Sequence, residues 1–151
     1  MKKAIGLDLD GLLILRTKNK IYYRKNMHDF LDFCFNSADV FVFTSTTKKN
    51  VDLIIPKLFT PGQILKLLFI WDRSYTDPDP MGRGWDTLKD LNKIKKEYPD
   101  YSILMIDDSP NKLRYNQSEE YLICEPFEST REFGDVLLNL IELIKLRLKI
   151  N

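Results

Sequence analysis

The chain has 151 residues, 44% of them hydrophobic and 30% charged, with a formal net charge of +1. That is enough chain for one domain with a sizeable core, and the composition is that of a soluble globular protein. Near-neutral charge supplies no global field toward nucleic acid or an anionic membrane, and a single histidine, His28, excludes His-based metal sites and Ser-His or Cys-His nucleophile pairs.

The N-terminal run MKKAIGLDLDG opens with two lysines, but Asp8 and Asp10 interrupt its apolar stretch, so it is no signal-peptide core. No later stretch reaches membrane-spanning length without a charge, which predicts a cytosolic or nuclear protein. Ala4 to Leu9 reads as a buried strand ending at the Asp10-Gly11 turn. Residues 12–25 form an irregular or hairpin-like excursion carrying Arg16, Lys18, Lys20, Arg24 and Lys25, expected as a solvated basic loop. The spacing of Met27, Phe30, Leu31 and Phe33 predicts a helix from about Asn26 to Asn36. Asp39 to Thr44 is a strand of β-branched and aromatic residues. Ser45 or Thr46 then caps a helix from Thr47 to about Leu58.

Leu67 to Trp71 reads as a third strand, and residues 72–84, rich in Asp, Pro and Gly, as a long loop. A helix from about Trp85 to Glu97 stops before Pro99. Ser102 to Ile106 is a further buried strand running into Asp107-Asp108-Ser109-Pro110, followed by a short helix and the strand Tyr121 to Cys124. Cys34 and Cys124 both lie in apolar stretches and read as reduced core residues. The final helix, Thr130 to Lys149, turns Phe133, Val136, Leu137, Leu140, Ile141, Ile144 and Leu148 toward the sheet. Leu138, Leu143 and Leu146 lie off that stripe and either pack deeper or form a homodimer contact; a monomer or weak homodimer is expected.

Strands alternating with helices predict an α/β fold over residues 1–151, a Rossmann-like parallel sheet with helices on both faces. In open sheets of this kind, ligands bind beyond the carboxyl ends of the strands. Asp8 and Asp10 follow the first strand, Thr44 and Ser45 the second, and Asp107 and Asp108 the fourth. Taken singly these are weak signals, since a strand, a turn and a helix cap would produce each of them. Together they gather four acids at one sheet edge, where mutual repulsion calls for a cation. An all-oxygen donor set suits Mg²⁺, which takes few carboxylates plus waters and a substrate phosphate. Asp8 and Asp10, two residues apart in extended chain, face one side. One carboxylate can then attack phosphorus while the other serves the leaving oxygen as general acid and base. Gly11 permits the sharp turn that follows. Phosphate oxygens are expected at the Thr44 hydroxyl and at the backbone N–H groups around Ser45 and Thr46, backed by a helix N-terminus. Lys89 is a candidate for charge neutralisation, although by itself it reads as a surface lysine.

The ordered set Asp8-Leu-Asp10-Gly, Val42-Phe-Thr44-Ser, Leu88-Lys89-Asp-Leu and Ile106-Asp107-Asp108-Ser-Pro110 resembles the haloacid-dehalogenase superfamily. Within it, the chain is most similar to the RNA polymerase II C-terminal-domain phosphatases, the NLI-interacting-factor-like group. Leu68-Phe-Ile-Trp-Asp72 and Ile123-Cys-Glu-Pro-Phe127 extend the resemblance over nearly the whole chain. It implies no large cap domain, Asp8 as nucleophile and Mg²⁺ ligand, and Asp10 as general acid/base that also offers its backbone carbonyl to the metal. It further implies Thr44 as phosphate contact, Lys89 as the neutralising lysine, Asp108 as direct metal ligand, and Asp107 as a ligand through water or an acid behind the ligands. Gly11-Leu12 departs from the group's Glu-Thr, and Lys25-Asn26-Met27 stands where the group has Arg-Pro-Gly. The stretch between the third strand and Lys89 is short beside the substrate-binding insertion of the best-known members. The expected substrate is a phosphoserine or phosphothreonine protein; the alternatives are small molecules or nucleic-acid ends met by the basic excursion, and a non-catalytic binding module on the same fold.

Overall fold

Alternating apolar residues along three segments build two faces of one sheet. The computed structural model describes residues 1–151, with β1 (Lys2–Leu7), β2 (Ile14–Arg16), β3 (Ile21–Tyr23), α1 (Met27–Ser37), β4 (Asp39–Phe43), α2 (Lys48–Leu58) and α3 (Pro61–Lys66) in its first half. There follow β5 (Ile70–Trp71), β6 (Asp77–Pro78), β7 (Thr87–Leu88), α4 (Leu91–Glu97), β8 (Tyr101–Asp107), α5 (Pro110–Leu113), β9 (Tyr121–Ile123) and α6 (Val136–Leu148). Five strands form a parallel sheet in the order β5-β4-β1-β8-β9, with Leu7 opposite both Val42 and Ile106. β2–β3 and β6–β7 are separate antiparallel pairs.

Because side chains alternate across a strand, each central strand feeds both layers. Ile5, Leu7, Val40, Val42, Leu104 and Ile106 pack into the larger core with α1, α2 and α6. Ala4, Phe41, Phe43, Ile103 and Met105 pack on the other face with Leu91 and Ile94 of α4 and Leu113 of α5. Both cysteines are free and buried. The α/β sandwich expected from the strand-helix alternation is therefore the one observed. No helix is long and apolar enough to cross a membrane.

Several expectations need correction. β1 ends at Leu7, not Leu9, because the Leu9 carbonyl accepts from the N–H groups of Leu12, Leu13 and Ile14 and turns the chain. The third strand shrinks to β5, although Leu68 still donates to the Val40 carbonyl. Ahead of it, an unanticipated α3 starts at Thr60, whose side chain and Gln63 form a reciprocal capping box with Pro61 in the first turn. Neither Ser45 nor Thr46 occupies the cap position of α2, which falls to Thr47. The loop 72–84 contains β6, and the helix expected from Trp85 begins only at Leu91. Thr87 and Leu88 pair with β6, and Asp90 caps α4 by accepting from the Asn92 N–H. The last helix likewise starts at Val136, since Gly134 takes φ +84° and breaks helical geometry. Phe133 is 92% exposed and does not face the sheet, whereas Leu137, Leu140, Ile144 and Leu148 do. Leu138, Leu143 and Leu146 are exposed, so they do not pack deeper within the chain.

The basic excursion is also less solvated than expected. Arg24 is buried and paired with Glu132, Arg16 pairs with Asp10, and Lys25 pairs with Asp135.

Candidate active site

The carboxyl ends of β1, β4 and β8 lie side by side, so the residues that follow them meet at one edge of the sheet. Asp8, Asp10, Thr44, Ser45 and Asp108 line one polar cavity of about 530 Å³, joined by Arg16, Thr46 and Lys112. Asp107 lies fully buried behind it. Lys89 is also buried; its ammonium contacts Asp107 Oδ2 at 2.5 Å and Asp8 Oδ1 at 3.4 Å. Its backbone is fixed from both sides: the Lys89 N–H donates to the Lys112 carbonyl, and the Asn116 side chain bridges the Lys89 carbonyl and the Leu91 N–H. The reading of Lys89 as an ordinary surface lysine does not hold.

Asp8, Asp107 and Asp108 each bring a carboxylate oxygen within 4.8 Å of the others. Three negative charges thus surround one lysine, leaving two in excess. Burial first, and then the charge of Asp107, push the Asp8 carboxyl up to about 8 despite Lys89. The same two causes push Asp108 up to about 6. Burial disfavours the Lys89 ammonium, but Asp107 and Asp8 outweigh it and hold its pKa above the ordinary value. Crowded, partly protonated carboxylates with only oxygen donors are what a hard divalent cation relieves, so the residues fit Mg²⁺. Asp107 is already engaged by Lys89 and by the Ser109 N–H, whereas Asp108 lines the cavity. The Asp10 carboxylate stands outside the cluster of three.

Asp8 Oδ1 accepts from the Leu9 N–H at 2.8 Å and faces Lys89, which leaves Oδ2 without a protein donor. Asp10 is held by Arg16 through two bonds of 2.7 and 2.8 Å and by the Thr46 hydroxyl at 2.6 Å. The Thr44 hydroxyl donates to Thr46 Oγ1 at 3.1 Å and accepts from the Thr46 N–H. A chain of hydroxyls therefore runs from Thr44 through Thr46 to Asp10. The N–H groups of Ser45 and Thr47 donate to no protein acceptor and remain open to an anion at the start of α2.

All the residues expected at the site come together here. The Thr46 hydroxyl, Arg16 and Lys112 join the site beyond the residues expected there, and the Thr46 N–H, expected to hold phosphate, instead donates to Thr44 Oγ1. For Thr46 the signal was its place two residues beyond Thr44. For Lys112 it was Pro110, which opens a helical turn and returns the next residues to the strand end.

A Rossmann-like sheet with a carboxylate cluster and one buried lysine at its strand ends defines a haloacid-dehalogenase-type phosphatase. Residues 3–150 match the NLI interacting factor-like phosphatase family, and the chain belongs to that family. Among solved structures it is similar to the fission yeast RNA polymerase II CTD phosphatase Fcp1, an arginine-to-alanine variant bound to beryllium fluoride. The TM-score is 0.60 at 15% identity, over 97% of this chain and 50% of that one. A second Fcp1 structure, described as an essential RNA polymerase II CTD phosphatase, gives a TM-score of 0.59 at 18% identity, over 97% and 48%. The chain thus spans about half the length of these structures, and the likeness shows the shared fold. No curated protein matches the chain significantly in sequence.

Proposed function

We propose that residues 1–151 act as a single-domain, Mg²⁺-dependent phosphomonoester hydrolase that works through an aspartyl-phosphate on Asp8, with phosphoserine or phosphothreonine proteins as substrates. The observation that carries this reading is the unpartnered Asp8 Oδ2 in a cavity beside Lys89, Asp107 and Asp108. Asp8 and Asp108 would hold Mg²⁺, with Asp107 behind them and the Asp10 backbone carbonyl alongside. Bound there, the cation supplies charge neutralisation for the phosphoryl oxygens and for the crowded carboxylates.

Asp8 Oδ2 attacks phosphorus; the Asp8–phosphorus bond forms as the ester oxygen–phosphorus bond breaks. Protonated Asp10 gives its proton to the departing alkoxide. Asp10 then takes a proton from water, whose oxygen attacks phosphorus and breaks the Asp8–phosphorus bond to release phosphate. Lys89 neutralises Asp8 and keeps its oxygen aimed. Thr44 lines the pocket and orients Thr46, while Ser45 and Thr47 offer N–H groups to the phosphate oxygens. Arg16 holds Asp10 in a partly exposed bidentate ion pair that must open when Asp10 carries the proton.

Short elements stand around the cavity: β2 with Arg16, α5 with Lys112 and, through the Thr87–Ser45 contact, the β6–β7 pair; such a rim suits a protein segment as substrate. One structural neighbour is bound to beryllium fluoride, an anion that imitates a phosphoryl group, which agrees with phosphoryl chemistry on this fold. The nucleic-acid alternative loses support because only Lys18 and Lys20 of the five basic excursion residues lack an ion pair. Phosphate release from a panel of phosphoserine and phosphothreonine peptides, nucleotides and sugar phosphates tests the substrate class. Turnover of peptides is expected; rapid turnover of small metabolites with none of any peptide would overturn the protein-phosphatase reading.

A further inference from the structure

Two cations line the Asp8 cavity, Arg16 and Lys112. Arg16 is committed, with Nε and Nη2 both bonded to the Asp10 carboxylate. Lys89, behind the cavity, is committed to Asp107 and Asp8. Lys112 is different: it makes no ion pair, and its ammonium meets only the neutral Thr87 hydroxyl, at 3.3 Å. Thr87 Oγ1 lies 3.1 Å from the Ser45 hydroxyl, so Lys112, Thr87 and Ser45 form a polar wall. On the far side of that wall lies a second cavity of about 1080 Å³, and Lys112 and Ser109 line both.

A half-buried ammonium without an ion-pair partner in contact, placed between two cavities and meeting the charges of Asp107 and Asp8 only at a distance, is a costly arrangement for the free protein. Burial and the neighbouring Lys89 charge hold its pKa below the ordinary lysine value. A phosphate dianion entering over Asp8 meets carboxylates on one side and needs uncommitted positive charge on the other. We propose that Lys112 is a substrate-binding residue that holds the phosphate group from the wall shared by the two cavities. The inference rests on the phosphatase reading of the Asp8 cavity and adds to it a positive contact outside the carboxylate cluster. Lys112 grips a non-bridging oxygen of the phosphoryl group in ground state and transition state alike, so it sets affinity more than rate.

The test compares the native protein with Lys112→Gln and Lys112→Arg in the presence of Mg²⁺. Two quantities are read: the dissociation constant of inorganic phosphate by calorimetry, and kcat and KM for p-nitrophenyl phosphate. Loss of one charge-assisted hydrogen bond should weaken phosphate binding by about tenfold or more in Lys112→Gln, with most of the activity loss in KM and substantial recovery in Lys112→Arg. Phosphate affinity and KM equal to the native values in a folded Lys112→Gln protein would overturn the proposal, as would an arginine variant as poor as the glutamine one. Both variants alter a partly exposed side chain, and a melting curve confirms that each is folded. If the native protein hydrolyses nothing, the phosphatase reading fails. The calorimetric comparison then still decides whether Lys112 binds phosphate.

Discussion

Gly11 takes φ +84°, and a Cβ placed on it would lie 2.3 Å from Asp108 Oδ2. Left-handed backbone and close approach of a carboxylate both demand glycine here, where the family group usually carries glutamate. Gly11→Ala should therefore cost about 2 kcal/mol or more and, by displacing Asp108, weaken Mg²⁺ binding. Thermal melts with and without Mg²⁺ check both effects; an unchanged Mg²⁺ response would detach Asp108 from the metal. The carboxyls themselves predict a pH dependence. In the metal-free protein, Asp8 at about 8 and Asp108 at about 6 keep protons that the unfolded chain releases near its ordinary value of 3.8. Between about pH 4 and pH 8 the folded state binds more protons, so their contribution to stability is present at the acid end and is lost as pH rises. Mg²⁺ held by these carboxylates would displace those protons, and its stabilising effect should then grow from pH 6 to pH 8. Melting temperatures across that range, with and without the cation, should diverge; parallel curves would contradict the assignment. Asp79, Asp86 and Asp135, whose carboxyls are held low by Arg114, Arg83 and Lys25, lose their effect only below about pH 4, outside this window.

At the scale of elements, Arg24 joins segments that sequence reading left apart. Its side chain is wholly buried and pairs with Glu132; it also donates to the carbonyls of Leu12 and Glu125, tying the turn after β1 to the segment after β9. Two residues on, Asn26 takes φ +66°, the left-handed conformation that glycine adopts freely and asparagine tolerates, so the chain turns directly into α1. Arg24→Ala should cost roughly 3–5 kcal/mol, because it strands Glu132 and two carbonyls. In a double-mutant cycle with Glu132→Ala, the combined loss should be smaller than the sum, as denaturant unfolding will show; strict additivity would contradict the pair. Phe133→Ser, next to Glu132 but exposed, should change stability by no more than about 0.5 kcal/mol in the same assay. The elements that sequence reading missed are those decided by caps and short pairings. The capping box Thr60-Gln63 is a local signal four residues long that an apolar periodicity does not register. The β6–β7 pairing, two residues a strand, has no period long enough to read. The start of α6 depends on Gly134, which a periodic stripe does not register.

For the whole molecule, the central sheet and the site were legible for one reason. β-branched and aromatic runs specify buried parallel strands, and a parallel sheet brings their carboxyl ends to one edge whatever the loops do. Asp8, Thr44, Asp107 and Asp108 could therefore be placed together from three short segments. The placement of Lys89 and Lys112 could not be read in the same way, because burial of a lysine depends on tertiary packing that local sequence does not encode. Membership of the NLI interacting factor-like phosphatase family covers residues 3–150, while the solved Fcp1 structures are about twice as long as the part this chain matches. What those proteins recognise with their remaining length does not transfer to this chain.

The central claim is that Asp8 is the nucleophile of a Mg²⁺-dependent phosphatase. The most direct measurement is hydrolysis of p-nitrophenyl phosphate by the native protein and by Asp8→Asn, each with and without Mg²⁺. The account predicts metal-dependent turnover in the native protein and a loss of at least about 10³-fold in Asp8→Asn, since a carboxamide is no nucleophile for this displacement. Native-like turnover by Asp8→Asn, or turnover indifferent to Mg²⁺, would contradict it.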